Sequence, residues 1–380
     1  MSQHPRVLMV GAGLAGLTLA QGLRQRSIAF RLFERRPRSY GSQGHRFRIS
    51  KDGQTRFRQT AAERYRFEPR YADARNLDYP EPTPVDPVTL PLDRTWILQL
   101  LSLGLDNAIE YEREFESYEI VDGLVHLNLT DGSVARGEVL VGADGIKSRV
   151  RKQLQPRRKL LDLERWIMWG RTPLTTELKE SLLPDLLSWC MYMDHEANVQ
   201  AVVEPMMWSK NVRQVSANRL PGFSDYVYWV LCAAPFQYAS QLPKTVDGKA
   251  TYLQKMSEPW HRDLRLLFDS AAHDLSACVP AISSKPDIEI VSADQTGRAT
   301  LIGDAAHAMS PMGGSGGDVA IRNAADLART IAEEGVGHKT LAGFEVRMEE
   351  RAKDKIEHSF RGGQKFWRGK EWTEYDEIDV

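Results

Sequence analysis

Cysteine is scarce in this chain: three residues in 380, at Cys190, Cys232 and Cys278. They are odd in number and never in C-x-x-C spacing. Neither a disulfide framework nor a zinc site is therefore expected, no metal is assigned, and a reducing compartment is the simplest reading. Long apolar runs are missing too, since none reaches the roughly 18 residues that a membrane-spanning helix needs. The opening Met1-Ser-Gln-His-Pro-Arg6 runs directly into an apolar strand, without the apolar core of a signal peptide. A cytoplasmic protein with no integral membrane segment is the resulting expectation. Excess charge is also absent. The 50 Lys and Arg against 51 Asp and Glu leave a net charge of −1, which supplies no electrostatic pull on nucleic acid. The one local basic cluster, Arg149, Arg151, Lys152, Arg157, Arg158 and Lys159, reads as a solvated helix face. Internal repeats and low-complexity tracts are not seen.

What is present is a globular composition, 42% hydrophobic and 27% charged. The chain is longer than one core usually serves, so two domains are expected. Arg6-Val-Leu-Met-Val10 is apolar without alternation, as suits a parallel strand buried on both faces. A helical pattern spans Leu14 to Arg26, and Ala29-Phe-Arg-Leu-Phe33 reads as the next strand, completing a βαβ unit. Residues 37 to 91 are irregular, with prolines at 80, 82, 84, 87 and 91. A helix is expected from Asp93 to Leu105. A hairpin is expected over Leu124–Ala135, with Asp131-Gly132 as a type I′ turn, followed by a strand from Glu138 to Gly142. From about 160 to 290 aromatics become dense and alternating stretches such as Asn198–Val203 and Tyr226–Leu231 point to antiparallel strands. Trp208, Tyr192 and Tyr228 are the candidate pocket aromatics there. A charged surface helix is expected over 338–360.

The chemistry concentrates in two glycine-rich segments. Gly11-Ala-Gly-Leu-Ala-Gly16 follows a strand and opens a helix. Gly11 permits the tight turn, Gly13 lets the backbone approach a diphosphate, and Gly16 allows close helix–strand packing. The helix N-terminus offers free N–H groups to phosphates. Glu34, at the end of the second strand, can accept ribose hydroxyls and would repel a 2′-phosphate. At the other end of the chain the strand Ala299–Ile302 leads into Gly303-Asp-Ala-Ala-His307, Pro311 and the glycines through Gly317. Asp304 can bond the ribityl hydroxyls of a flavin, and the glycines let backbone lie along its ring. His307 reads as structural rather than as a base. Two such sites so far apart in sequence imply one large cofactor, FAD, clasped by both ends.

These segments, together with Val141-Gly-Ala-Asp-Gly145 and Ser148-Arg-Val-Arg151, resemble the group A flavoprotein monooxygenases, the aromatic-hydroxylase-like family. About a third of the chain is matched. Gln43-Gly-His-Arg-Phe-Arg-Ile49 resembles a microbial and fungal branch tied to secondary metabolism. The resemblance implies an α/β fold: a Rossmann-type FAD-binding domain, discontinuous over 1–158 and 291–336, an inserted antiparallel-sheet substrate domain over 159–290, and a C-terminal helical segment over 337–380. It implies cofactor contacts by Gly11, Gly13, Gly16, Glu34, Arg94, Asp144, Asp304 and Gly317, with no catalytic side chain singled out. It also implies the reaction. NADPH or NADH, as a transient reductant, reduces FAD, and O₂ delivers one oxygen atom to a small-molecule substrate through a flavin C4a-hydroperoxide. Oligomeric state is not implied.

Three features depart from the family pattern. Leu98 stands where a second arginine is usual. Asp318 and Asn323 stand where asparagine and aspartate are usual, so Asp318 either tunes the flavin potential or acts as a helix N-cap pointing away. The loop between 50 and 92 is short, implying an open substrate entrance. A flavin-dependent halogenase would carry a W-x-W-x-I-P element, which Trp166-Ile-Met-Trp169-Gly-Arg does not match. A flavin oxidase or dehydrogenase would show no oxygen insertion, and a non-catalytic FAD-binding protein would show decayed fingerprint glycines.

Overall fold

A computed structural model describes residues 6–39, 46–50, 70–77, 89–208, 211–290 and 296–380. Two sheets organise these residues. The first is a five-stranded sheet in the order Ala299–Leu301, Val139–Gly142, Val7–Val10, Phe30–Glu34 and Ile109–Tyr111, with every pairing parallel. Val7–Val10 and Val139–Gly142 are buried at every residue, which is why neither alternates between polar and apolar side chains. The helix Leu14–Gln25 connects the first two strands in sequence. It packs on the helix Gly316–Glu334, closely enough that a Cβ on Gly22 would lie 2.5 Å from the Ala328 Cβ.

The second sheet is larger, ordered Ala277–Ser283, Leu160–Pro173, Tyr226–Ala233, Val199–Met206, Cys190–Asp194 and Arg70–Asp73, with Glu377–Ile378 pairing beside Leu160–Leu161. Its long strands are antiparallel, and Arg70–Asp73 is parallel to Cys190–Asp194. The expected division of the chain therefore needs adjustment. Residues 70–73 fall in the segment 1–158 yet belong to the second sheet, and the C-terminal segment returns to the same sheet through Glu377–Ile378. Alternation sorts the strand faces. Trp229, Leu231, Val203 and Met168 join one core with Tyr192, Trp260 and Phe268. Tyr226, Tyr228, Val202 and Glu204 point the other way. Tyr192 is fully buried in that core, so it fills space rather than lining a pocket. Trp208 lies just beyond the strand Val199–Met206 rather than on it.

Two smaller expectations are also corrected. The hairpin turn at Asp131-Gly132 is not type I′. Only Gly132 has positive φ, at +81°, and Gly132 N–H bonds the Leu129 carbonyl at 2.9 Å. This is the four-residue turn with a glycine bulge. The Asp131 side chain accepts from Ser133 N–H and Oγ–H, which holds residue 131 at negative φ. The C-terminal helix runs from His338 to Trp367, 30 residues. It is not simply a surface helix, because Leu341, Phe344, Met348, Ala352, Ile356, Phe360 and Trp367 form a buried stripe at helical spacing. The three cysteines are free and buried. No helix among the described residues is long and apolar enough to cross a membrane.

Gly170 tests the packing of the second sheet. A Cβ there would sit 2.3 Å from the Trp229 ring, and the ring is pinned by its indole N–H to Thr172 Oγ1 at 3.1 Å. Gly170→Ala is expected to destabilise the protein by about 1–3 kcal/mol, the range for overpacking a filled core. Denaturant unfolding with an unchanged midpoint would contradict this packing.

Candidate cofactor site

The glycine loop after the first strand is shaped by close approach. Gly11 has φ +100°, and a Cβ on it would meet the Ala143 carbonyl oxygen at 2.5 Å. A Cβ on Gly16 would meet the Gly11 oxygen at 2.0 Å. Gly13 differs: it caps the helix Leu14–Gln25 without any side-chain cap, and nothing lies within 4 Å of where its Cβ would be. The free N–H groups of this helix therefore open onto empty space, the arrangement that receives a diphosphate. Glu34 braces the loop. Its Oε2 accepts from Ala12 N–H at 2.8 Å and its Oε1 from Arg36 N–H at 2.9 Å. Each oxygen retains a second lone pair for a ribose hydroxyl.

The segment Gly303–Gly317, the third motif in chain order after Gly11–Gly16 and Val141–Gly145, meets the first directly. Gly303, at φ +62°, leaves only 2.8 Å between its would-be Cβ and the Ala15 Cβ. Asp304 opens the short helix Asp304–His307. Solvent reaches Asp304, yet protein encloses its carboxylate closely enough that lost hydration, the larger effect, raises its pKa against the pull of Arg94. Among the described residues the carboxylate has no hydrogen-bond donor. Arg94 begins the helix Arg94–Ser102, where Asp93 caps by accepting from Trp96 N–H at 2.7 Å. Burial lowers the Arg94 pKa, and the charge of Asp304 opposes that. An unpaired carboxylate and a facing guanidinium in one cleft fit a ligand bearing both hydroxyls and phosphates. Glu34 and Asp304 follow strands three positions apart in one parallel sheet, about 15 Å at the usual strand spacing. An extended dinucleotide spans that distance.

Other expected contacts are placed differently. The Asp144 carboxylate is committed to the helix Arg149–Leu154. It accepts from Ser148 Oγ–H at 2.5 Å and Arg149 N–H at 2.8 Å, so burial raises its pKa only against these bonds. Gly317 makes room for the Phe47 ring, which would lie 2.6 Å from a Cβ. The open glycine of that turn is Gly314, left-handed at φ +59° with nothing near its Cβ position. Asp318 does not cap the helix, whose N-cap is Ser315. It accepts from Ser50 N–H at 3.0 Å and Oγ–H at 2.8 Å, with Arg322 at 3.8 Å. Leu98 packs against the core. Gln43–His45 and most of the 50–92 loop lie outside the described residues.

The basic cluster holds what the sequence did not reveal. Arg151 is 3% exposed, and it donates to the carbonyls of Ile146 at 2.6 Å and Ala305 at 3.3 Å. Arg158 donates to the Ala306 carbonyl; burial and then Arg151 push its pKa down to about 9. Arg151 is buried and Arg158 half-buried, and both grip the turn that carries Asp304. Their alternation with exposed Arg149, Lys152 and Arg157 was the only available signal.

Comparison with known proteins agrees with this geometry. A family model described as an FAD binding domain matches residues 287–354, and one described as an NAD(P)-binding Rossmann-like domain matches residues 9–62. The chain is 30% identical to the dual O-methyltransferase/FAD-dependent monooxygenase elcB of Phaeosphaeria nodorum, over 98% of this chain and 47% of that protein. It therefore spans about half the length of that relative. It is 27% identical to the aurachin C monooxygenase/isomerase of Stigmatella aurantiaca, over 94% of this chain and 88% of that one. Its fold matches Klebsiella pneumoniae HpxO complexed with FAD and uric acid at TM-score 0.77, 17% identity, 96% of this chain and 89% of that one. Fold and site together define a two-sheet flavoprotein whose cofactor is FAD. Over 94% or more of its length the chain is similar to FAD-dependent and related monooxygenases, and its FAD binding domain model matches residues 287–354.

The two fingerprint glycines separate space for packing from space for ligand. Gly13→Ala is expected to fold normally and bind FAD at least tenfold more weakly, whereas Gly16→Ala is expected to lose thermal stability before FAD is added. Equal FAD affinity of Gly13→Ala and the parent, by flavin fluorescence titration, would refute the assignment. Asp304 adds a pH test. Its raised folded-state pKa means that the ionised carboxylate lowers apo-protein stability at neutral pH, and that the penalty fades as pH falls through that pKa. Asp304→Asn should raise the apo melting temperature at pH 7, with the difference closing on acidification. The same change should weaken FAD binding roughly tenfold, the scale of one charge-assisted hydrogen bond. An apo variant that melts lower at pH 7 would count against this reading.

Proposed function

We propose that the chain is an NAD(P)H- and O₂-dependent flavoprotein monooxygenase that inserts one oxygen atom into a small planar organic substrate, aromatic or polycyclic, in secondary metabolism. The observation that carries this reading is the empty-handed pair Gly13 and Asp304, both placed past the carboxyl ends of strands in one parallel sheet and ready for a single extended cofactor. Bound there, FAD would supply hydride acceptance from NAD(P)H and the activation of O₂. The helix at Gly13 would hold the diphosphate, Glu34 a ribose, and Asp304 with Arg94 the remaining tail. The setting in secondary metabolism rests on the Gln43–Ile49 resemblance.

The substrate surface is the face of the second sheet turned toward this cleft. Two cross-strand rows line it, Trp169–Val230–Val202–Met191 and Arg171–Tyr228–Glu204. The first row is apolar and partly open, suited to a flat ring. In the second, Glu204 receives Arg48 at 2.7 Å and also pairs with Arg46, while Asp93 receives the Tyr226 hydroxyl at 2.6 Å. These contacts bind the small two-stranded sheet Arg46–Ile49 and Leu90–Asp93 to the substrate face. The other side of that small sheet faces the third motif, through Phe47 on Gly317 and Ser50 on Asp318. It thus forms the wall between cofactor and substrate, orienting the ring and excluding water. No side chain is assigned proton transfer. His307, the one histidine of the motif, is fully buried.

Purified holoprotein should consume NADPH or NADH faster when given phenols, indoles or polyketides under ¹⁸O₂, and one labelled oxygen should appear in the product. Substrate-dependent consumption without label would instead identify an oxidase or dehydrogenase. A protein that cannot be reconstituted with FAD would end the enzymatic reading altogether.

A further inference from the structure

The Asp304–His307 turn is held from behind by a chain of polar groups that reaches the C-terminal helix. Asp326 is its anchor. Burial would raise the pKa of this carboxyl, but hydrogen bonds from Arg347, Arg351 and Arg329 hold it down at about 2, with Arg351 Nη2 at 2.7 Å and Arg329 Nη2 at 2.7 Å. Arg351 is thereby fixed in place, and its Nε donates to Asn323 Oδ1 at 2.7 Å. A guanidinium has no acceptor, so the carboxamide oxygen must face Arg351 and the NH₂ must face the other way. On that side lies His307 Nε2, 3.0 Å from Asn323 Nδ2. Two donors cannot share one hydrogen bond. His307 Nε2 is therefore unprotonated, and the neutral ring carries its hydrogen on Nδ1.

Burial reinforces this choice. His307 and Asn323 are both fully buried, and among the described residues Nδ1 has no hydrogen-bond partner beyond the residue itself. The charged groups facing the ring are Arg158, from the segment after the helix Arg149–Leu154, and Arg351, from the C-terminal helix. Asp326 stands behind Arg351, and no carboxylate touches the ring among the described residues. Lost hydration, then the two guanidiniums, bring the His307 pKa down to about 4. The remaining contacts of the turn are equally rigid. The carbonyls of Ala305, Ala306 and Ala308 accept from Arg151, Arg158 and Ser284 N–H, and His307 N–H returns to the Gly303 carbonyl at 2.8 Å. Among the described residues the ring makes the one side-chain hydrogen bond between this turn and the helix Gly316–Glu334.

We propose that Arg351, acting through Asn323, locks His307 as the neutral Nδ1–H tautomer and so sets the position from which Asp304 meets the flavin tail. Arg351 and Asn323 are positioning residues, and the role rests on the cofactor site described above. It does not depend on oxygen insertion, so its test reads the histidine and the binding of FAD rather than turnover.

In holoprotein with ¹⁵N-labelled histidine, the His307 signals are identified by their loss in His307→Gln. The native ring should show the Nδ1–H tautomer and no titration between about pH 5 and 9. In Asn323→Asp the amide donor becomes an acceptor. His307 should then become protonated on Nε2 and titrate within that range, and FAD release should acquire a pH step that the native protein lacks. Arg351→Gln should weaken FAD binding roughly tenfold, while Arg329→Gln, which reaches Asp326 but not Asn323, should leave it within about twofold. A native His307 carrying its proton on Nε2, or titrating above pH 6, overturns the proposal, and that measurement needs no variant to fold. So does FAD affinity that is unchanged in both Arg351→Gln and Asn323→Asp. Loss of oxygen insertion with these readouts intact would strike the monooxygenase reading alone.

Discussion

The architecture depends on backbone approach between the two ends of the chain. Gly11 against Ala143, Gly16 against Gly11, Gly303 against Ala15 and Gly22 against Ala328 are four contacts at which a single methyl group would collide. Three of them lie within one turn of the helix N-terminus that opens at Gly13. Close packing here does two things at once. It brings the strand Ala299–Leu301 into the sheet begun by Val7–Val10, though nearly 300 residues separate them in sequence, and it leaves the helix N-terminus uncovered. Bulkier residues would fill the interface and push the helix away from the sheet. The helix dipole would then no longer point into the cleft that Asp304 closes from the other side.

That approach creates an electrostatic difficulty which buried arginines resolve. The turn after Gly303 is too short to satisfy its own carbonyls, and water is excluded behind it. Arg151 and Arg158 supply the donors. Their charges are spread over carbonyl dipoles instead of matched to a carboxylate, and burial accordingly lowers the pKa of both. Removing one would leave buried carbonyls without partners, at a cost of about 1–3 kcal/mol each. Arg151 also reaches the Val380 carbonyl at 3.4 Å. One guanidinium thus ties together the loop after Val139–Gly142, the turn bearing Asp304 and Val380. Asp304 itself is left without a donor among the described residues. The rigidity around it makes an unpaired carboxylate tolerable, because the turn has no low-energy route to bury it elsewhere.

The parallel sheet and the fingerprint loop were legible in the residues because local rules and tertiary demands coincide there. Val7–Val10 is apolar throughout since both faces are covered, and Gly13 leaves open space where its Cβ would stand. Other features were hidden where one residue type serves two masters. A basic run looks the same whether its arginines face water or carbonyls, and the exposed Arg149, Lys152 and Arg157 masked the buried Arg151 and the half-buried Arg158. Gly317 belongs to a glycine turn whose reason was ambiguous, ligand or neighbour, and the neighbour proved to be Phe47. Asp144 follows a strand like Asp304 does, but a serine four residues later claims its oxygen. Strand Arg70–Asp73 was lost within a polar, proline-rich stretch because four residues carry too little pattern to announce a sheet edge. The Asp131-Gly132 turn was misread in type because Asp131 spends its side chain on Ser133 and keeps its backbone at negative φ.

The small sheet of Arg46–Ile49 and Leu90–Asp93 shows how the two halves of the molecule communicate. Its alternation is the whole mechanism: odd and even residues of a four-residue strand address different partners. Phe47 packs on Gly317 and Ile49 enters the first core, while Arg46 and Arg48 meet Glu204 on the substrate face. A one-residue slip in its register would exchange those sets, placing guanidiniums against the glycine turn and aromatic carbon against Glu204. Asp93 guards against such a slip, since it caps the helix Arg94–Ser102 with one oxygen and holds Tyr226 with the other. The residue that starts the Arg94 helix is thus the same one that fixes the wall between cofactor cleft and substrate face. On the proposed function, cofactor position and substrate position would thereby be coupled through a single buried carboxylate.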